Sequence, residues 1–468
     1  MFDSIEKAAN FIETEEIAII DVRFIDLLGR WHHISLPATR ADDLFKNGIP
    51  FDSSSIPGFR GVNCGDMCLK PDVTSAFVDP FTEMPTIVFI CQIVEADSGK
   101  GIADDPRSIL LRAEALLKKR LSADSLWLPE LEFYLFDSAS FGTGKTFGFF
   151  EFESKETQTG DNAFTHPPTA GYHAMPPADR AFDLRSEIII LAEDCGIPIR
   201  YHHHEVGRFG QHEVEMLPAP PVVAADNVMK LKYIIRMAAL ERGLYATFMP
   251  RPLFDEPGSG MHFHQLLTKA GKSLFWDEKG EYTHFSQMGL SCIAGVLEHS
   301  PSIVALTNPS TNSYRRLVPG FEAPTKRFFG LANRSAAIRI PKYDDAPALK
   351  RFEFRPPDAT CNPHLAIAAQ MLAGLDGIER KLDPTALGYG PFDENVDKWP
   401  EAKRRRLKDI PSKLESALDA LKKDKDYLTK DEVFTDSLLE RHAEFAERSI
   451  RDVAKHPVPR EVELYFDI

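Results

Sequence analysis

A strand-like run near the end of the first third of the chain carries two carboxylates in an otherwise apolar sequence, LPELEFYLF. Because side chains alternate between the two faces of a strand, Glu130 and Glu132 lie on the same face. A buried face of this kind needs a cation, since unpaired carboxylates are costly in a protein interior. Mg²⁺ and Mn²⁺ prefer such oxygens. The run predicts either a divalent-metal site or, in the simpler interpretation, two glutamates that face solvent.

A second carboxylate pair stands in the segment HHHEVGRFGQHEVEM, which adds three imidazoles in a row, His202 to His204. Glycines at positions 207 and 210 favour a turn between two strands. One strand leaving and another returning would bring Glu205 and Glu213 close together. A surface hairpin with incidental charges is the alternative.

Two further segments place polar side chains at strand spacing. In GSGMHFH, His262 and His264 alternate and share a face if the segment is a strand, although structural histidines would look the same. In RFEFR, Glu353 stands between Arg351 and Arg355, an order that a surface ladder of ion pairs would also show.

The four segments together combine five glutamates and two histidines with arginines elsewhere in the chain. Carboxylates suit divalent ions that bridge phosphate oxygens, and guanidinium groups suit a phosphoryl group or a carboxylate. Phosphoryl transfer is the reaction class that uses both sets. The candidate arginines are Arg315, Arg316, Arg334, Arg339 and Arg355.

Composition narrows the possible partners. The 468 residues include 43% hydrophobic and 27% charged residues, which is typical of a compact globular protein. The formal net charge of -15 disfavours nucleic acid and anionic lipid as partners. No export signal is evident and no apolar run approaches the roughly 20 residues of a membrane span, so we expect a cytoplasmic protein. The six scattered cysteines favour reduced thiols.

The pattern along the chain predicts an α+β protein with two domains, a small sheet-based domain at 1–105 and a larger α+β domain at 106–468. The first alternates short β-rich runs with turns, and Pro106 begins a helical pattern. The second interleaves strands and helices. Predicted strands span 17–24, 86–94, 128–136, 245–248 and 352–355, and predicted helices span 178–195 and 223–241. A loop or hairpin is expected at 137–173, and a solvated helix face at 400–425.

Seven ordered blocks resemble the landmarks of glutamine synthetases of the type I class. They are FDSSSIPG, LPELEFYLF, HHHEVGRFGQHE, GSGMHFH, RRLVPGFEAP, NRSAAIRIP and FEFRPPDATCNP. The resemblance implies an N-terminal β-grasp domain and a catalytic domain with an antiparallel sheet. It also implies a dodecamer of two stacked hexameric rings with active sites between neighbours. Asp52 and Asp66 would serve the adjacent subunit's site, and the C-terminal residues HPVPREVELYFDI would tie the rings together.

The resemblance further implies two or three Mg²⁺ or Mn²⁺ ions and ATP in each active site. One ion would be held by Glu132, Glu205 and Glu213, and a second by Glu130, His262 and Glu353. The nucleotide would contact His264, Arg339 and Arg351. Glutamate would be bound by Gly258, Arg316 and Arg355.

The implied reaction forms γ-glutamyl phosphate from glutamate and ATP, and ammonia then displaces the phosphate to give glutamine. Arg334 and Arg339 would neutralise the transferring phosphoryl group. Ammonium would be bound and deprotonated by Asp52, with Ser55, Tyr172 and Glu322 completing the pocket. Glu322 would sit on a flap that excludes water.

Three positions depart from the family pattern and keep alternatives open. Pro257 stands where Asn usually precedes the Gly-Ser-Gly, Leu266 replaces a frequent Ser, and Arg251 replaces a common Lys. A γ-glutamyl-amine or polyamine ligase of the same fold is therefore one alternative. An inactive regulatory homologue is another, although all six implied metal ligands are present.

Overall fold

The computed structural model describes residues 1–59, 65–157, 164–320, 323–343 and 346–465. Its N-terminal part is a five-stranded sheet in the order β2-β1-β5-β4-β3, in which β1 and β5 are parallel and the other neighbours antiparallel. Its elements are α1 (Ile5–Thr14), β1 (Ile19–Ile25), β2 (Trp31–Pro37), α2 (Ala41–Asn47), β3 (Ile49–Asp52), β4 (Asp66–Val78) and β5 (Thr86–Glu95). This sheet and its helices form the expected β-grasp domain, with a core of its own that includes Val22, Met67 and Phe89.

The larger part is built on a nine-stranded sheet with the main order β14-β15-β16-β12-β6-β10-β9. Neighbouring strands are antiparallel, as expected, except that β14 and β15 are parallel. The strands after the first domain are β6 (Asp124–Phe136), β7 (Ser138–Thr143), β8 (Gly148–Glu153), β9 (Ile199–His204), β10 (Gln211–Met216), β11 (Tyr245–Thr247), β12 (Met261–Lys269), β13 (Lys272–Ser273), β14 (Phe329–Leu331), β15 (Ile338–Ile340) and β16 (Phe352–Phe354). Strands β7 and β8 form a separate hairpin within the predicted 137–173 segment.

Helices cover the sheet and extend to the C-terminus. They are α3 (Pro106–Leu121), α4 (Phe182–Asp194), α5 (Pro221–Glu241), α6 (Gln287–Thr307), α7 (Ser313–Arg316), α8 (Pro363–Glu379), α9 (Glu401–Arg404), α10 (Leu414–Lys423), α11 (Asp426–Thr429), α12 (Asp436–Lys455) and α13 (Pro459–Tyr465). Within the described residues, α6 alone is long and apolar enough to cross a membrane, but 83% of its apolar window is buried inside the protein. The helix therefore serves as a core helix.

The local sequence explains where the helices begin. Helix α3 starts at Pro106 as predicted, because the Asp105 carboxylate accepts hydrogen bonds from the amides of Arg107 and Ser108. Helix α4 starts at Phe182 rather than at 178, because Asp179 accepts from the amide of Ala181 and so holds the preceding residues in a turn.

The charged segment 400–425 was expected to form a solvated helix face. It forms two helices, α9 and α10, with residues 405–413 between them, and most of its charged side chains are exposed. Helix α10 buries Leu414, Ala417, Leu418 and Leu421, so one of its faces belongs to the core.

A buried ion cluster joins the two parts of the chain. Arg107 of α3 contacts Asp72 of β4 at 2.6 Å and Asp226 of α5 at 3.0 Å, and His364 of α8 lies 2.8 Å from the other oxygen of Asp226. Burial raises the pKa of the Asp226 carboxyl, but the Arg107 guanidinium and the hydrogen bond to His364 bring that pKa to about 2. The cluster fixes the β-grasp sheet against α3 and α5. The exact boundary predicted at residue 105 stays a prediction.

Replacing the central guanidinium should therefore destabilise the fold. Arg107→Met leaves Asp226 buried without its cation, so we expect a loss of about 3–5 kcal/mol in the free energy of unfolding. Urea denaturation followed by tryptophan fluorescence measures it. Arg120→Met is the matched control on the same helix, because the ion pair of Arg120 with Asp431 is exposed. Equal denaturation midpoints for the two variants would contradict this interpretation.

Candidate functional site

A cavity of about 1080 Å³ opens where β6, β9, β10 and β12 meet the loops that follow β11 and β14. Most of the residues predicted for the site line it. They are Glu130, Glu132, Tyr172, Glu205, Glu213, Gly258, His262, Arg316, Arg334, Arg339 and Arg355. The structure thus gathers side chains that are up to 225 residues apart in sequence (130 to 355).

Sheet register brings the carboxylates together. Glu132 of β6 pairs with Glu213 of β10, and Glu130 pairs with His262 of β12 on the other side. Both glutamates of the first motif are buried, at 6% and 8% exposure, so the interpretation of a solvent-facing pair is wrong. A cluster of like charges at the centre of a sheet requires cations.

The two histidines of β12 each have both ring nitrogens within hydrogen-bond distance of a partner. An Arg316 N–H points to His262 Nε2 at 3.2 Å, so His262 Nδ1 is left to donate to Glu130 at 3.1 Å. Likewise Arg351 Nε donates to His264 Nδ1, and His264 Nε2 donates to Glu130 at 2.7 Å. His264 is fully buried and is not among the residues lining the cavity, so it stands behind Glu130.

The ligand atoms form two compact groups. In one, atoms of Glu130, His262 and Glu353 lie within 4.8 Å of one another, which is the set that the sequence resemblance grouped on one ion. The other group contains Glu205 and Glu213 together with His203. Glu132 contacts the amide of Gly260 at 2.8 Å and His262 at 3.6 Å, so it lies between the two groups.

The electrostatics of the two groups differ. Burial and the neighbouring carboxylates raise the pKa of Glu205 and the pKa of Glu213 well above their ordinary values. Burial also raises the pKa of Glu130, but the nearby His264 and His262 more than offset it and hold that pKa well below normal. The side of the cluster at Glu205 and Glu213 therefore lacks positive charge. A divalent ion bound by hard oxygens fits this deficit.

Glu353 carries its own countercharges. Arg339 approaches one of its oxygens at 2.8 Å and Arg355 the other at 2.5 Å. Burial raises the pKa of Glu353, but the two guanidinium groups bring it to about 2. Both arginines also line the cavity, so they face its contents as well as the carboxylate.

The glycines of the Gly-Ser-Gly segment allow a close approach to Arg316. A Cβ at Gly258 would lie 2.7 Å from Arg316 Cγ, and one at Gly260 would lie 2.4 Å from an Arg316 guanidinium nitrogen. The Pro257 carbonyl accepts a hydrogen bond from Tyr134 at 2.7 Å, which anchors this segment to β6. Arg316 is 4% exposed and also donates to the backbone of Pro356.

Other predicted residues lie at the rim or away from the cavity. Tyr172 is exposed and accepts a long hydrogen bond from Arg334, at 3.4 Å. Asp52 and Ser55 are exposed at the end of β3 in the β-grasp domain, and neither lines this cavity. Asp66 faces Asp52 across the β3–β4 pair. Glu322 lies outside the described residues.

Two candidate metal ligands were not foreseen from the sequence. Glu215 groups with Glu130 and Glu213, and one of its oxygens pairs with Arg200 at 2.6 Å. Its signal was present in the sequence, because Glu213 and Glu215 repeat the spacing of Glu130 and Glu132. His203 was noted only as part of the histidine run, and only the fold distinguishes it from its two neighbours.

Comparison with known proteins finds similar chains over nearly the full length. Residues 103–465 match the family model "Glutamine synthetase, catalytic domain", and residues 16–96 match "Glutamine synthetase, beta-Grasp domain". The chain is 40% identical to proteins named glutamine synthetase from Aquifex aeolicus, with 99% of each chain covered, and from Frankia alni, with 100% of each covered. The fold is similar to a solved Plasmodium falciparum glutamine synthetase, with a TM-score of 0.90, 24% identity and 99% of each chain covered.

Proposed function

Because this chain belongs to the glutamine synthetase family, we propose that it joins ammonia to the γ-carboxyl group of glutamate while ATP is converted to ADP and phosphate. The observation that carries the proposal is the buried carboxylate cluster beside arginines in one cavity. This combination fits phosphoryl transfer, which needs both metal ligands and cationic groups for phosphate.

Glu132, Glu205 and Glu213 would hold one divalent ion, and Glu130, His262 and Glu353 a second. Bound Mg²⁺ or Mn²⁺ would neutralise phosphate charge and orient the γ-phosphoryl group. The donor set supports this assignment, because it is rich in carboxylates and has at most one imidazole in each predicted set. Glu215 is an additional carboxylate for the same region.

The arginines of the cavity have two proposed roles, one toward the phosphoryl group and one toward glutamate. Arg339 and Arg334 would stabilise the phosphoryl group as it moves from ATP to the γ-carboxylate of glutamate. Arg316 and Arg355 would bind glutamate's carboxylate, with the backbone of Gly258 beside them. The nucleotide contact is assigned to Arg339. His264 and Arg351 were also expected to contact the nucleotide, but they form the layer behind Glu130, so their effect on ATP would pass through the position of that carboxylate.

Ammonia attacks the acyl phosphate only after ammonium has lost a proton. We assign that proton to Asp52, whose hydrogen bonds from the amide and hydroxyl of Ser54 lower the pKa of its carboxyl. Ser55, Tyr172 and Glu322 would complete the ammonium pocket. The carbon–oxygen bond to phosphate breaks as the carbon–nitrogen bond forms, and glutamine and phosphate leave.

The position of Asp52 and Ser55 supports an oligomer. They are exposed and do not line the cavity of their own chain, so a neighbouring chain would provide them. Helix α13 also exposes the apolar side chains of Val462 and Leu464 at the C-terminus. We propose a cytoplasmic homo-oligomer, a dodecamer of two stacked hexameric rings with active sites between subunits.

The nitrogen donor is tested by substrate competition. We expect ammonium to give a higher kcat/KM for phosphate release than methylamine, ethanolamine or putrescine, with glutamate, ATP and Mg²⁺ present. Glutamine should accumulate in step with phosphate, as measured by chromatography of the product. A higher kcat/KM with one of the amines would identify an amine ligase and overturn the proposal.

The predicted metal ligands are tested by removing one charge. Glu213→Gln should weaken Mn²⁺ binding at least about tenfold, as followed by calorimetry, because one hard ligand is lost. We expect kcat/KM to fall at least about a hundredfold. Glu114→Gln, a half-buried glutamate on α3, is the control and should change neither quantity. Unchanged Mn²⁺ affinity in Glu213→Gln would refute its role as a ligand.

Shared active sites are tested by mixing two inactive variants. Asp52→Asn and Glu213→Gln change residues that we assign to different chains of one site. Equal co-expression should restore about a quarter of wild-type activity, because random mixing leaves that fraction of interfaces with both native residues. Each variant expressed alone is the control. Co-expressed protein that stays inactive, although it assembles, would place both residues in the same chain's site.

A further inference from the structure

A second cluster of metal-ligating side chains lies outside the carboxylate set of the cavity. It contains Glu156, which follows β8, His166 in the next loop and His204 at the end of β9. One ligand atom from each lies within 4.8 Å of the others, and the exposures are 5%, 7% and 0%. Glu156 and His166 do not line the cavity, and none of the three belongs to the predicted catalytic metal sets.

The hydrogen bonds of His204 leave its second nitrogen facing a negative charge. Nδ1 lies 2.6 Å from the carbonyl oxygen of Glu205, and a carbonyl only accepts, so Nδ1 carries the proton. Nε2 lies 2.8 Å from Glu156 Oε2. On a neutral ring that nitrogen would turn a lone pair toward a carboxylate. The contact requires either a second proton on the ring or a cation between the two groups.

His166 contributes a ring nitrogen to the same group of ligand atoms. Its Nε2 is buried and has no hydrogen-bond partner among the residues that the structure describes. The ring hydrogen-bonds to the backbone of Ala178. Burial, with His204 nearby, lowers the pKa of His166 and favours the neutral ring. Buried polar atoms without a partner are rare, because each carries a desolvation cost of roughly 1–3 kcal/mol.

We propose that Glu156, His166 and His204 bind a divalent transition-metal ion, with zinc as the best fit. Two imidazoles and one carboxylate suit zinc better than Mg²⁺, which prefers oxygen ligands. Metal-bound histidines usually give their other N–H to a carbonyl or carboxylate, as His204 does with Glu205. The second oxygen of Glu156 accepts from the amide of Arg180 at 2.9 Å, which fixes the carboxylate. Water would complete a tetrahedral set.

The metal would hold the end of β9 and the loop around Tyr172 together at one side of the cavity. His204 is adjacent to Glu205, and the His204 carbonyl accepts from the amide of His173, next to Tyr172. The Gly171 amide donates to the carbonyl of Val206, so the loop after His166 is laid along the end of β9. The ion therefore has a structural role here, holding Glu205 and Tyr172 in register without being part of the phosphoryl-transfer set.

Metal content tests the proposal directly. The full-length protein is expressed in zinc-supplemented medium and purified, with gel filtration to remove loosely bound ions. Its metal content is then measured by inductively coupled plasma mass spectrometry. We expect about one zinc per chain in the wild type and about none in His166→Ala. His173→Ala is the matched control, because that exposed histidine of the same loop is outside the cluster, and it should retain the zinc.

Two further measurements separate this site from the proposed catalytic ions. Glu213→Gln should keep its zinc while losing Mn²⁺ affinity, so a failure of the proposed function would not be mistaken for a failure of this site. Cobalt-loaded wild type should show the absorption bands of a tetrahedral site, which zinc abolishes and which do not depend on catalysis. If His166→Ala does not fold, His166→Gln replaces it.

The opposite results would overturn the proposal. Wild-type protein without bound zinc, or zinc that is lost in Glu213→Gln but kept in the His166 variants, would show that the cluster is not a metal site. Glu156 and His204 would then form an ion pair between a carboxylate and a doubly protonated imidazole.

Discussion

Repulsion among buried carboxylates is the constraint around which the large domain is built. Five glutamates project into one region of the sheet. Four of them are less than 9% exposed, and the fifth, Glu205, is half-buried. The chain itself stabilises Glu130 through hydrogen bonds from His262 and His264, and it pairs Glu353 with Arg339 and Arg355. Glu205 and Glu213 have His203 beside them, at 3.7 and 3.3 Å, and their pKa values are nevertheless raised by burial and by the neighbouring carboxylates. A bound cation is therefore needed most at Glu205 and Glu213, where the negative charge of the carboxylates is least offset by the protein.

The short strands and glycines follow from the same constraint. Arg316 can reach His262 only because the neighbouring backbone has no side chain at Gly258 and Gly260. Strand β16 is three residues long, yet it carries Glu353 into contact with β12 and β15 at once. Rigid sheet positions thus fix the ligands, and the cationic groups that face the cavity come from β15 (Arg339), from α7 (Arg316) and from the loops that hold Arg334 and Arg355.

Sequence reasoning found the elements whose chemistry repeats at strand spacing. The β-grasp domain, the shared face of Glu130 and Glu132, and the shared face of His262 and His264 followed from period two or from the ordered family motifs. That both histidines contact the same carboxylate, Glu130, was not foreseen. The sequence did not predict which side chains face the cavity and which lie behind its wall. A strand pattern shows which residues share a face, but not what covers that face. His264 and Arg351, which lie behind Glu130, are examples. Glu156 and His166 escaped notice because they are far from His204 in sequence and only the fold brings the three side chains together. The start of α4 was misplaced because a side-chain turn at Asp179 competes with the helix.

The cluster around Arg107 has a consequence for how this architecture can be recombined. Its charges come from β4 on one side and from α5 and α8 on the other, so neither domain is electrostatically complete at the junction. A β-grasp domain transplanted from a relative would need a carboxylate at the position of Asp72 to satisfy the guanidinium. The residues on the two sides of this junction must therefore change together in evolution, so the domains are not interchangeable modules.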